Sequence, residues 1–307
     1  MNVNWTGIYP AVTTKFLADE SLDHEGFAFN LNAQIEAGID GIIVAGSLGE
    51  NSVLTPEEKQ LLLHTAQKTS AGRVPVLICV AECTTRDAVA FAHTSQENGA
   101  DGLMVLPPMR YPADSRETLQ YLHRVAESVD LPIIIYNNPL AYNIMITPDM
   151  FADLAQHPNV QAIKESSGNV RYLTDLINRF GKRYKILSGV DDLAMESIIL
   201  GATGWVAGLV NAFPRETVAI YRLVQAGKIA EAREIYRWFF PLLHLDVSTK
   251  LVQNIKLAEV ATGLGTEYVR EPRLPLAGEE REQIWKIIQD SLASRPDVEA
   301  YLKTIHA

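Results

Sequence analysis

The chain has 307 residues, 47% hydrophobic and 21% charged, and carries a formal net charge of −10. That composition is ordinary for a globular protein and excludes collagen-like, disordered and multi-span membrane chains. The acidic balance argues against nucleic acid or an anionic membrane as partner, because phosphate binding needs an excess of Lys and Arg; a small anionic substrate stays open, since it answers to a local site.

In chain order, the start Met1-Asn2-Val3-Asn4-Trp5 has neither the basic nor the apolar region of a signal peptide. No apolar run approaches the ~20 residues of a membrane span. Eight short apolar runs follow, at 8–14, 41–47, 75–81, 102–107, 131–137, 160–166, 185–190 and 204–211. Their unbroken hydrophobicity predicts strands buried on both faces. The gaps between them read as amphipathic helices. Thr55-Pro56-Glu57-Glu58 is a strong helix start, with a capping Thr, Pro at the first helical position and Glu at the third; Thr84 and Thr147 open weaker versions. Gly38-Ile39-Asp40-Gly41, Gly99-Ala100-Asp101-Gly102 and Gly201-Ala202-Thr203-Gly204 repeat one helix-to-strand joint. The first Gly of each suits a left-handed helix end.

Eight strands alternating with eight helices predict an α/β fold, a (β/α)8 TIM barrel over 1–226, with a helical extension over 227–307 packed on it. An open doubly wound sheet is the alternative, but Gly46-Ser47-Leu48-Gly49 lacks the GxGxxG spacing. Breaks in the extension are expected at Gly263-Leu264-Gly265 and in the Pro-rich stretch 272–275. Two cysteines, Cys79 and Cys83, make no disulfide framework and read as reduced, structural thiols in a cytoplasmic protein.

Active sites in such barrels lie at the C-terminal strand ends, which selects a few polar residues. Lys164, in register with Ala162 and Ser166, would point inward near the end of the sixth strand. Desolvation favours its neutral amine, a nucleophile toward carbonyl carbon; the plainer alternative is a rim lysine paired with Glu165. Lys15 also ends a strand, but its flanks read as loop and predict a solvated side chain. Tyr136 ends the neighbouring fifth strand and could pass a proton to and from reacting carbons, or simply pack its ring with a wet hydroxyl. Gly46, Ser47 and Leu48, after the second strand, could turn backbone N–H groups toward a carboxylate, or form an ordinary turn. The seven histidines fall mostly on expected outer helices and loops, so no metal site is predicted and no cofactor is required. Asp191 and Asp192 would repel a phosphate, which favours a hydroxylated substrate with one carboxylate.

With Gly46-Ser47-Leu48-Gly49-Glu50, Tyr136-Asn137-Asn138-Pro139 and Ile163-Lys164-Glu165-Ser166 in this order, the chain resembles the dihydrodipicolinate synthase and N-acetylneuraminate lyase superfamily over nearly its whole length. The resemblance implies a class I Schiff-base lyase acting on a 2-oxo or 2-imino acid, with Lys164 forming the imine, Tyr136 shuttling protons and Ser47 helping to hold the carboxylate. It further implies substrate contacts from Gly46, Leu48, Gly189, Asp191, Asp192 and Gly208, and a homo-oligomer, commonly a tetramer. Three departures bear on substrate. Leu48 stands where the family's strand-two motif usually carries a second hydroxyl residue. The relay tyrosine of the synthases falls near Met109, with Tyr111 as a possible substitute. Ala141 stands where the synthases carry an Arg, so a second carboxylate lacks its bidentate partner. The Trp5-Thr6-Gly7-Ile8-Tyr9-Pro10-Ala11 start and the stretch from Val247 to Lys256 are similar to 1-pyrroline-4-hydroxy-2-carboxylate deaminases of hydroxyproline catabolism. Expected alternatives are a 2-keto-3-deoxy sugar acid aldolase or dehydratase, dihydrodipicolinate synthase itself, and a non-catalytic binding protein on the same barrel.

Overall fold

A computed structural model describes residues 3–108 and 111–306. Eight parallel strands, β1 Gly7–Pro10, β2 Ile42–Val44, β3 Val76–Val80, β4 Gly102–Val105, β5 Ile133–Asn137, β6 Val160–Glu165, β7 Lys185–Ser188 and β8 Gly204–Ala207, run in the order β1-β8-β7-β6-β5-β4-β3-β2. A single bridge from Ala11 to Ile43 brings β1 to β2. The predicted TIM barrel is therefore the fold. Within the strands only Gln161 and Lys185 are half-buried and everything else is buried, as continuous apolar runs require of strands covered on both faces.

The helices are α1 His24–Ala37, α2 Pro56–Ser70, α3 Thr85–Glu97, α4 Ser115–Ser128, α5 Pro139–Tyr142, α6 Pro148–Leu154, α7 Val170–Phe180, α8 Ala194–Ile199 and α9 Pro214–Gln225, followed by α10 Ile229–Leu243, α11 Leu251–Thr262, α12 Gly278–Ala293 and α13 Val298–Lys303. Their starts follow the sequence signals. Thr55 and Glu58 form the reciprocal capping pair, Thr55 N donating to Glu58 Oε2 at 2.9 Å and Glu58 N to Thr55 Oγ1 at 3.2 Å. The three Gly-x-x-Gly joints do what their spacing predicts: Gly38, Gly99 and Gly201 all take positive φ, and the second glycine opens or immediately precedes a strand. No helix among the described residues is long and apolar enough to cross a membrane.

Several strands are shorter than their apolar runs. β1 stops at Pro10, because the residues after it leave the ladder for side-chain partners: Asn211 Oδ1 accepts from Thr13 N at 3.2 Å, and Thr14 Oγ1 donates to Gly49 O at 2.6 Å. β2 stops at Val44, because Ala45 turns to a left-handed φ of 55°.

Lys15 overturns its expectation. It is not solvated but 1% exposed, 2.9 Å from Glu259 and bonded to Thr13. The reason is α11, which crosses the barrel mouth and delivers Glu259 to the spot where the loop reading foresaw water. Burial pushes the Lys15 ammonium down, and Glu259 opposes that. A second buried pair lies alongside, with Lys256 Nζ 2.5 Å from Glu50 Oε1 and both side chains fully buried. Together the two pairs lock the C-terminal helices onto the β1 and β2 ends.

Candidate active site

Pairing of β5 with β6 sets Tyr136 directly beside Lys164. The Lys164 Nζ stands 4.0 Å from the centre of the Tyr136 ring, and the side chain is only 6% exposed. Glu165, the rival partner, points the other way by strand alternation. It accepts from Asn137 Nδ2 at 2.7 Å and from Ser167 N at 2.6 Å. Lys164 is thus an inward lysine inside a small cavity of about 40 Å³ at the C-terminal end of the barrel.

Gly46, Ser47, Leu48, Gly189 and Gly208 all line that cavity. At Gly189 even a methyl would lie 2.7 Å from Lys164 Cε, so this position leaves the lysine stem room to enter. The loop after β2 is held in an unusual shape. Ala45 and Glu50 both have positive φ, at 55° and 58°. Asn51 Nδ2 donates to Ala45 O at 2.7 Å, and the Lys256 ion pair pins Glu50. Left-handed non-glycine residues of this kind persist only where surroundings over-determine them, commonly at functional sites.

Two of the sequence candidates sit elsewhere. Asp191 is fully buried, with Trp205 Nε1, Gly208 N and Leu209 N donating to it at 2.8 to 3.1 Å. Its carboxylate is committed to shaping the turn after β8 and is not presented to a ligand. Tyr111 is 54% exposed, in a surface groove beside Glu117 and outside the Lys164 cavity. Met109 lies outside the described residues. Asp192 is half-buried at the rim, 3.5 Å from His244 Nε2.

Three residues to which the sequence reading gave no role belong to the site. The Tyr142 hydroxyl is hydrogen-bonded to Ser47 Oγ, and its ring meets the Tyr136 ring edge-on at 5.7 Å. Burial pushes the Tyr142 phenol up, so it stays protonated. Asn138 Nδ2 donates to the Tyr136 hydroxyl at 2.9 Å and its Oδ1 accepts from Ala141 N at 3.1 Å, so one residue caps α5 and steadies the Tyr136 phenol. Asn138-Pro139 was a readable helix start, and one turn beyond it returns Tyr142 toward the barrel. Asp246, from the segment between α10 and α11, is the third.

With one inward lysine and the hydroxyls of Ser47, Tyr136 and Tyr142 around a tight cavity, this arrangement can form and deprotonate a carbonyl adduct. Comparison with known proteins places it. The model of the dihydrodipicolinate synthetase family matches residues 4–291. The chain belongs to that family. Among its relatives, the 4-hydroxy-tetrahydrodipicolinate synthase of Kosmotoga olearia is 33% identical over 92% of this chain and 97% of its own length. That of Methanoculleus marisnigri is 30% identical over 92% and 98%. A dihydrodipicolinate synthase structure from Aquifex aeolicus superposes with a TM-score of 0.89 at 29% identity, covering 93% of this chain and 98% of that one. An E. coli K12 prophage protein of the same family, in complex with pyruvate, gives 0.89 at 29% identity over 94% and 99%. This member of the dihydrodipicolinate synthetase family is a lyase-type enzyme on a TIM barrel.

Proposed function

We propose that this enzyme converts 1-pyrroline-4-hydroxy-2-carboxylate and one water to 2-oxoglutarate semialdehyde and ammonia, through an imine on Lys164. The observation that carries the reading is the charge inside the cavity. Among the described residues lining it, Lys164 is the only cation, and Ala141 occupies the place of the synthases' arginine. A substrate with one carboxylate fits such a site, whereas the second carboxylate of a synthase substrate would go without a guanidinium partner. The family resemblance of the Trp5 to Ala11 start and of the Val247 to Lys256 stretch supports the same choice.

In this reading Lys164 Nζ adds to the ring C=N carbon, and the ring C–N bond breaks to leave a Lys164 imine and a free amine. The cationic imine acidifies the neighbouring carbon, C3, and Tyr136 removes its proton. Loss of the 4-hydroxyl as water leaves a C3=C4 double bond, tautomerisation moves protons from C5 and its amine to C3 and C4 to give an imine at C5, and hydrolysis of the two C=N bonds frees ammonia and the semialdehyde; one water leaves and two enter. Ser47 and the β2 loop hold the carboxylate. Tyr142, bonded to Ser47 and packed on Tyr136, completes a chain of hydroxyls along which the proton can move. The setting we propose is a cytoplasmic homo-oligomer, as the resemblance implies.

The test is ammonia release from the hydroxylated pyrroline carboxylate. No ammonia, beside rapid release of pyruvate from a 2-keto-3-deoxy sugar acid, would overturn the reading in favour of the aldolase. That rival draws on the half-buried Asp192 at the rim, which could meet extra hydroxyls.

The hydroxyl chain has its own check. Tyr142→Phe is expected to slow deuterium exchange into the methyl group of pyruvate about 100-fold, with borohydride trapping of pyruvate on Lys164 unchanged. Equal loss of trapping would show instead that Tyr142 positions the lysine.

A further inference from the structure

The C-terminal extension sends one carboxyl into the barrel mouth. Asp246 lies in the 3-10 turn His244–Val247 and lines the same cavity as Lys164 and Tyr136. The turn is fixed from behind, since Leu245 is buried and its carbonyl accepts from Asn254 Nδ2 of α11 at 3.1 Å. Residue 208 lets the carboxyl in. A methyl there would stand 2.3 Å from Asp246 Oδ1, while Gly208 itself has an ordinary φ of −96°. The glycine is needed for space and not for backbone freedom.

Three charged groups face Asp246: Lys164, Asp191 and Asp192. Burial and the two like charges push its carboxyl well above the usual carboxylate range, and Lys164 opposes them. Asp191 is pushed up by burial as well, but its three N–H donors support the negative charge. Asp191 is claimed by those donors, whereas Asp246 faces the Lys164 cavity, and its surroundings favour the protonated form. A protonated carboxyl beside an imine-forming lysine is equipped to donate, not to abstract.

Resting on the Schiff-base reading above, we propose that Asp246 is the general acid for a hydroxyl leaving the carbon two bonds beyond the imine carbon, so that the substrate class is 4-hydroxylated 2-oxo or 2-imino acids and the outcome is dehydration. Removal of the C3 proton by Tyr136 leaves its bonding pair between C2 and C3, and the imine pair moves to nitrogen. The nitrogen pair then re-forms C=N and the C2–C3 pair shifts to join C3 to C4. The C4–O bond breaks toward oxygen, which takes the Asp246 proton and departs as water. Asp246 is left as a carboxylate and regains a proton from solvent before the next turnover. Aldol cleavage would need the opposite, a base to take the 4-hydroxyl proton, which a carboxyl already holding its own does not supply.

Asp246→Asn keeps the shape and removes the acidic proton. Two reactions are compared on one preparation: ammonia release from 1-pyrroline-4-hydroxy-2-carboxylate, and deuterium exchange into the pyruvate methyl group, which uses Lys164 and Tyr136 but has no leaving hydroxyl. The expected result is a fall of at least about 100-fold in ammonia release with exchange unchanged. Wild-type ammonia release by the variant overturns the acid assignment and leaves the proposed function standing. Loss of both reactions in a folded variant also overturns it, because Asp246 would then be serving the lysine. A wild-type enzyme that exchanges pyruvate but releases no ammonia overturns the proposed function, and the acid with it. Should the Asn variant fail to fold, Asp246→Leu, similar in size and without a proton, is read by the same two assays and the same outcomes.

Discussion

Replacing Lys164 with alanine is expected to abolish turnover, by at least about 10⁴-fold, because nothing else in the cavity can take the place of a covalent nucleophile. Among the described residues the lining otherwise offers hydroxyls, a carboxyl and apolar groups. The fold should survive. Lys164 sits at the open end of β6 against Tyr136 and not in the packed layers of the barrel, and its removal takes a cation out of a desolvated site without leaving a partner that depended on it alone. A change in unfolding free energy of about 1 kcal/mol or less is expected. Borohydride treatment with pyruvate should add mass to the wild-type chain at Lys164 and nothing to the variant. A label on another lysine, or a collapsed melting transition, would refute the assignment.

The second large effect is on stability. Lys256→Met is expected to cost about 3–5 kcal/mol, the usual consequence of removing one partner from a buried ion pair. Glu50 is fully buried, and although Arg270 N donates to it at 3.2 Å and Arg273 comes within 3.8 Å, Lys256 supplies the close counter-charge. Burial pulls the Lys256 ammonium down to about 8, with Glu50 opposing, so the pair is already held against a desolvation cost. The carbonyl of Tyr268 also loses its 2.6 Å donor. Because Glu50 closes the β2 loop, activity should fall alongside stability. Thermal unfolding measures it, with a drop of roughly 10 °C for a chain of this size. The double variant Lys256→Met, Glu50→Gln should recover much of the loss, since no unpaired charge then remains. A single variant that melts like the parent would show that the network is not what secures the extension.

The barrel was legible because its determinants are local and repeated. Apolar runs mark strands covered on both faces, Thr55 with Glu58 marks a helix start, and three Gly-x-x-Gly joints mark the return from helix to strand. Each depends on neighbours within a few residues. Alternation along β6 turned Lys164 inward and Glu165 outward, and the sequence carried that too. The β5 to β6 neighbourhood that joins Tyr136 to Lys164 follows from the barrel's chain order.

The rest of the site depends on groups far apart in the chain. Ser47 and Tyr142 are 95 residues apart, and only the one-turn helix after Asn138 brings their hydroxyls together. Lys15 read as a loop lysine, and Glu259, its partner from α11, gave no signal. Asp191 read as a ligand group because strand-end position says where a residue is, not which backbone N–H groups will claim its oxygens. Asp246 gave no signal, because it acts across a gap left by Gly208 on another element.

What the sequence by itself determined is the barrel, its closing joints and the inward lysine with its tyrosine neighbour, since periodicity and strand pairing fix the direction of side chains. What only the tertiary structure decided is the electrostatic character of the site. Burial and long-range pairing set which carboxyl is bound to backbone, which is pushed toward its protonated form and which lysine is bridged, and those depend on how the C-terminal helices cover the mouth of the barrel.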